Sequence, residues 1–184
     1  IQLSLALAAA GVSLMNHAMQ AKDEFRFMDS YKDPGAWYAV HAPKYENITA
    51  GWNYTLPAVV AGQVKARHAN ASVEVAGLSI LEVGSGSGLV GRALAAHGYP
   101  KLVGADISPE MAAEARRTDR YSRLVTVDID QVTMAGLDTP AAFDLILCVG
   151  TAGYLGREST ATRTVQRKLV RELLREWLRL LRPG

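Results

Sequence analysis

The hydrophobic pattern of the chain changes period along its length, and the changes mark out its elements. An apolar run from Leu78 to Val83, too short for a helix, predicts a buried strand. It runs into a turn with three alternating glycines (Gly84, Gly86, Gly88). Leu89 to His97 then predicts a helix and Leu102 to Ala105 a second strand, ending in Asp106. These segments make one β-α-β unit. Ser108-Pro109-Glu110 opens the next helix, with Ser placed to cap, Pro in the first turn, and Met111, Ala112 and Ala115 as the packing face. Leu124 to Val127 predicts a third strand and Ala142 to Val149 a fourth. Thr162 to Leu181 has Val165, Leu169, Leu173, Trp177 and Leu181 stepping by four, the pattern of an amphipathic helix. Upstream, Leu56 to His68 predicts a helix that tolerates Pro57 near its start. Strands alternating with helices predict an α/β fold with a parallel sheet between helical layers.

Composition narrows the class. A chain of 184 residues, 49% hydrophobic and 21% charged, is large enough to bury a core as one globular domain. The single cysteine, Cys148, excludes an intramolecular disulfide and favours a reducing compartment, hence a cytoplasmic location. The formal net charge of +2 does not by itself point to nucleic acid. From Arg157 onward eight basic residues face three acidic ones, against twelve and fifteen before it. Arg163, Arg167, Arg171, Arg175 and Arg179 form a stripe that reads as a solvated face, partly paired by Glu172 and Glu176, rather than an RNA site. Four scattered histidines (His17, His41, His68, His97) and one cysteine offer no metal-ligand spacing. Residues 1–21 are uncharged, but lack a basic flank and carry Ser4, Ser13, Asn16 and His17 within or beside the apolar run, so an amino-terminal helix is preferred over a signal or membrane segment. The sequons at Asn47, Asn53 and Asn70 are read as inert.

The β-α-β unit carries the chemistry. A glycine turn directly after a parallel strand lets a ligand lie against bare backbone, and Asp106 at the end of the next strand is placed to accept both hydroxyls of a ribose. The unit therefore predicts a nucleoside ligand. Counted from Gly86, the glycines at 86, 88 and 91 spell the dinucleotide fingerprint; counted from Gly84, where such a turn should begin, Leu89 takes the place of the third glycine. Glu82, two residues before the turn, would repel a pyrophosphate and suit a cation. An NAD-dependent oxidoreductase is thus the weaker alternative.

Glu82-Val83-Gly84-Ser85-Gly86-Ser87-Gly88 resembles the first motif of the class I S-adenosylmethionine (SAM) methyltransferases, and Gly104-Ala105-Asp106-Ile107-Ser108-Pro109-Glu110-Met111 resembles their second. The nearest likeness is to the small-molecule-type group that includes the Williams-Beuren methyltransferase-like proteins. The resemblance covers about Trp37 to Gly184 and implies a Rossmann-like three-layer fold with SAM as cofactor. It implies a cofactor site of Glu82, Gly84, Ser85, Gly86, Gly88, Asp106, Ile107, Met111, Asp128 and Ile129. Glu82 would face the aminocarboxypropyl end, Asp106 the ribose, Met111 the adenine ring, and Asp128 the adenine amino group, with Asp130 competing for that role. Trp37 to Tyr45 resembles the lid that precedes the first motif. His41 and Tyr45 in the lid, and Tyr154 after the fourth strand, are the candidate bases.

Other positions are defined by contrast. Asp144 resembles the acid opening the family's fourth motif, which sits away from the crevice and implies a structural role. The loop Gly150-Thr151-Ala152-Gly153-Tyr154 lacks the Asn/Asp-Pro-Pro-Tyr of amino-methylating DNA and glutamine enzymes. Cys148 inside a strand reads as a small buried residue. Leu181-Arg182-Pro183-Gly184 resembles the turn leading to the family's fifth strand, so the carboxyl-terminal strands are expected to be missing and the fourth strand to be an exposed apolar edge. The organisation expected is an amino-terminal extension over 1–30, a lid and leading helix over 31–77, and an incomplete SAM-binding core over 78–184. The methyl acceptor, a small molecule or a protein, is not identified by the residues. A non-catalytic SAM-binding domain is the other alternative.

Overall fold

The computed structural model describes residues 33–71, 74–129, 136–137, 139–151 and 163–183. Expectations for residues 1–30, Asp130 and Tyr154 lie outside them, as do the side chains of Arg163, Val165, Arg167 and Leu169. The elements are α1 (Pro34–His41), α2 (Tyr45–Gly51), α3 (Leu56–Ala71), β1 (Ile80–Val83), α4 (Leu89–Ala95), β2 (Leu102–Asp106), α5 (Pro109–Arg117), β3 (Tyr121–Thr126), β4 (Leu145–Cys148) and α6 (Arg163–Leu180). Single 3₁₀ turns over Ala42–Lys44 and Val75–Gly77 join α1 to α2 and lead into β1.

The sheet has four parallel strands in the order β3-β2-β1-β4. This is the Rossmann-like arrangement expected, with β1 central. Glu82 lies level with Gly104 on one side and Leu147 on the other. Alternate residues of β1 enter different cores. Leu81 and Val83 join Ile146, Cys148, Leu173, Trp177 and Leu180 beneath α6, while Ile80 joins Val60, Val64, Val90, Leu94 and Leu147 beneath α3 and α4. A two-residue period on a strand buried on both faces produces two cores from one apolar run.

Several boundaries moved for physical reasons. β3 starts at Tyr121, three residues before the expected Leu124, because Ser122 and Arg123 are exposed on an edge strand and carry no hydrophobic signal. Leu181 leaves the helix and forms a parallel bridge with Phe143, and Leu180 takes its place on the buried face. β4 stands at the end of the strand order, as expected, but its four side chains are buried rather than exposed. Asp144 accepts the Ser79 N–H at 2.8 Å and an Arg182 N–H at 2.6 Å, the structural role its position implied.

Candidate cofactor site

The site forms where β1 and β2 end. Gly84, Gly86 and Gly88 all adopt positive φ (75°, 53° and 90°), a backbone that bends the chain off the strand and into α4. The Gly84 and Ser85 amides both donate to the Ala105 carbonyl, at 2.7 and 3.0 Å, stapling the turn to β2. The Gly86 amide donates to Asp106 Oδ2 at 2.7 Å, and Ser108 N–H donates to Oδ1 at 3.0 Å. Burial pushes the Asp106 carboxyl above the usual range, opposed by these N–H groups and that of Ile107. Three N–H groups on two oxygens leave the carboxyl a lone-pair site for a ligand hydroxyl.

The glycines turn out to serve the chain's own packing as well. A Cβ on Gly84 would collide with Thr151, from the loop after β4, and one on Gly88 would stand 3.1 Å from both Thr118 and Tyr121. At Gly86 the nearest group is Met111 Cε, at 3.5 Å. Met111 is 1% exposed and held by the Ser108 cap, whose Oγ accepts the Met111 N–H at 3.2 Å. The Ser85 and Ser87 hydroxyls are buried beside the turn without a hydrogen-bond partner. Unpartnered buried hydroxyls at a glycine turn, next to an acid, fit a polar ligand whose groups would satisfy them.

Glu82 lies on the α3/α4 face, fully buried, and accepts a hydrogen bond from Tyr121 OH at 2.7 Å. Burial pushes its carboxyl up to about 8, the Tyr121 bond lowering it and the charge of Asp106 raising it further. Tyr54 also faces it. Burial and the Glu82 charge push that phenol up to about 12, and Tyr54 OH sits 2.9 Å from where a Cβ on Gly150 would be. Cys148 is buried with its thiol pushed up to about 12 by burial and by Glu82, which leaves no thiolate at neutral pH.

The remaining predicted residues fall on the rim or in the core. Ile107 packs against the start of α1, its Cδ1 4.0 Å from where a Cβ on Gly35 would stand. Asp128 is half-buried just past β3, and Ile129 is buried among Val83, Phe143 and Trp177. In α1 and the start of α2, the His41 ring stacks on Trp37 with centroids 4.1 Å apart, and Tyr38 meets Tyr45 edge-on at 5.8 Å. His41 Nδ1 lies 2.7 Å from the Trp37 carbonyl, which can only accept, so Nδ1 carries the proton and the basic lone pair is on Nε2. Glu46 of α2 pairs with Arg92 of α4 at 2.7 Å, tying α2 to the helix that follows the turn. A cavity of about 260 Å³ lies along this seam, bordered by Pro43, Glu46, Arg92 and Glu114.

Tyr121 and Tyr54 were not singled out from the sequence. A large aromatic opening β3 opposite small residues was the available signal for Tyr121; Tyr54 sits in a connection whose path no local pattern dictates.

The model of a family described as "Methyltransferase domain" matches residues 80–184. No curated protein matches the chain in sequence. Among solved structures, a candidate SAM-dependent methyltransferase from Methanococcus maripaludis is similar with a TM-score of 0.55 and 19% identity over 78% of this chain and 58% of that one. DesVI of Streptomyces venezuelae superposes with a TM-score of 0.56 and 18% identity, covering 78% of this chain and 54% of its own. CalS10 of Micromonospora echinaspora, an amino pentose methyltransferase solved with SAM bound, gives 0.52 and 24%, covering 76% and 52%. The chain spans 52–58% of the length of these three, and the likeness is one of fold.

Proposed function

Because this chain belongs to the family of methyltransferase domains, we propose that it binds SAM where β1 and β2 end and serves methyl transfer to an acceptor held beyond β4. The observation that carries this reading is the 2.7 Å bond from the Gly86 amide to Asp106, which joins the glycine turn and the acid of the next strand into one surface. It lies where open α/β sheets bind ligands, outside the carboxyl ends of adjacent parallel strands.

SAM, when bound, supplies a methyl group on a positively charged sulfur, already an activated leaving group. What this chain contributes is binding, orientation and charge. Asp106 accepts from the ribose at the lone-pair site its backbone donors leave open. A Cβ on Gly86 would meet Met111 Cε at 3.5 Å, and Met111 borders the adenine side. Asp128 and Ile107 complete that side, and Ile129 supports it from the core. Glu82, ionised when a cation lies against it, provides negative charge for the aminocarboxypropyl end, which disfavours a pyrophosphate and with it a nicotinamide cofactor. The backbone of Ser85 and Gly88 shapes the turn. Gly150 and Thr151 begin the acceptor side, and aligning the acceptor with the methyl is the main source of rate. His41 through Nε2 and Tyr45 are the groups the lid offers as a base. The acceptor is a small molecule or a protein, and the buried free thiol of Cys148 suits the cytoplasm.

The test is titration calorimetry with SAM, S-adenosylhomocysteine and NADH. Micromolar binding of the first two and none of NADH supports the reading; NADH binding with no SAM binding reverses it.

A further inference from the structure

Three glycines from three elements make room for one tyrosine. A Cβ on Gly91 of α4 would stand 2.8 Å from the Tyr121 hydroxyl, one on Gly104 of β2 would stand 2.9 Å from the edge of its ring, and one on Gly88 at the end of the turn would stand 3.1 Å from it. The ring begins on β3, crosses β2 and ends beneath β1, where its hydroxyl donates to Glu82 Oε2 at 2.7 Å. From these contacts we propose that Tyr121 is a positioning residue of the cofactor site: its hydroxyl fixes the orientation of the Glu82 carboxyl and favours its anion, and so sets how strongly the site holds the cationic amino-acid end of SAM. The inference rests on the reading of the turn as a SAM site.

The chemistry around Glu82 makes this hydrogen bond count. The titratable groups that interact with it are Tyr54 before α3, Asp106 on β2, Tyr121 on β3 and, from the other face of the sheet, Cys148 on β4. None of these is cationic. Burial and Asp106 favour the neutral carboxyl, and the Tyr121 hydroxyl is the interaction that favours the anion. An anion held in one orientation beneath the turn attracts an ammonium or sulfonium group; a neutral carboxyl does so weakly. Gly91 and Gly104 therefore belong to the site at one remove, since a side chain at either would displace the ring that holds Glu82.

The experiment is a double-mutant cycle of Tyr121→Phe and Glu82→Gln, read by calorimetry from about pH 6 to 9 with SAM and with 5′-methylthioadenosine, which lacks the amino-acid end. Phe keeps the ring that the glycines accommodate, and a melting curve like the parent's confirms the fold. Tyr121→Phe is expected to weaken SAM at pH 7 about tenfold and move the pH dependence of its affinity up by about one unit. 5′-Methylthioadenosine binding should be unchanged, and Tyr121→Phe should add nothing in the Glu82→Gln background. An unaltered SAM profile, equal loss of both ligands, or additive effects would each overturn the inference while leaving the SAM site standing. A parent chain that binds neither ligand would instead remove the functional reading itself.

Discussion

The Glu82 carboxyl is 1% exposed and held by one phenol, so ionising it without a nearby cation is costly. Its proton is retained up to about pH 8 in the folded chain but is released near the ordinary value of 4.5 in the unfolded one. The folded state therefore binds the extra proton, and stability falls as pH rises from about 4.5 through about 8. Asp106, also raised, acts in the same direction. Thermal midpoints measured across that range should decline, and Glu82→Gln should flatten most of the decline. A cationic ligand reverses the preference, so SAM binding near neutral pH should release a proton, read as buffer-dependent binding heat. At Gly84, with φ of 75° and Thr151 packed on it, Gly84→Ala should cost about 1–3 kcal/mol in chemical denaturation. Asp106 and the turn were legible in the sequence because glycine spacing and a strand-ending acid are local patterns. Tyr121 was not, because its role depends on Gly88, Gly91 and Gly104 meeting across three elements.

Among the elements, those whose burial repeats with a regular period were read most faithfully. β1, α4 and β2 begin and end within two residues of expectation and α5 begins where expected, since their apolar runs are bounded by glycines, a proline and caps. β3 was read short because an edge strand exposes Ser122 and Arg123, and its register against β2 shifts between Leu102 and Val103. In α6 the step of four held for Leu173 and Trp177, then gave way to Leu180, because the helix ends there and the backbone of residues 181–182 turns to pair with Phe143. Trp177, 2% exposed, closes the core under β1 and β4. Trp177→Ala should cost about 3–5 kcal/mol, measured by denaturant titration. Arg171, Arg175 and Arg179 are exposed, with Arg179 paired to Glu176, as a solvated face requires.

On the scale of the whole molecule, a sheet buried on both faces holds a polar site at one end. The crossovers of parallel strands bring the β1 turn, the β2 acid and the β4 loop to that end together, and α1 and α2 lie against α4 and α5 beside it. Among the described residues no helix is long and apolar enough to cross a membrane. Family membership follows from the match over residues 80–184 and the fold from this architecture; the acceptor follows from neither, because open α/β folds place it on loops that vary independently of the sheet. The central claim is that the turn and Asp106 together form the cofactor site, and the measurement that tests it most directly is SAM affinity of the parent chain against Asp106→Ala, with the fold of both checked by circular dichroism. The account predicts micromolar binding by the parent and a loss of about tenfold or more in the variant, the size of one or more lost hydrogen bonds to a charged group. Equal affinity in the two folded chains, or no binding by the parent, would contradict it.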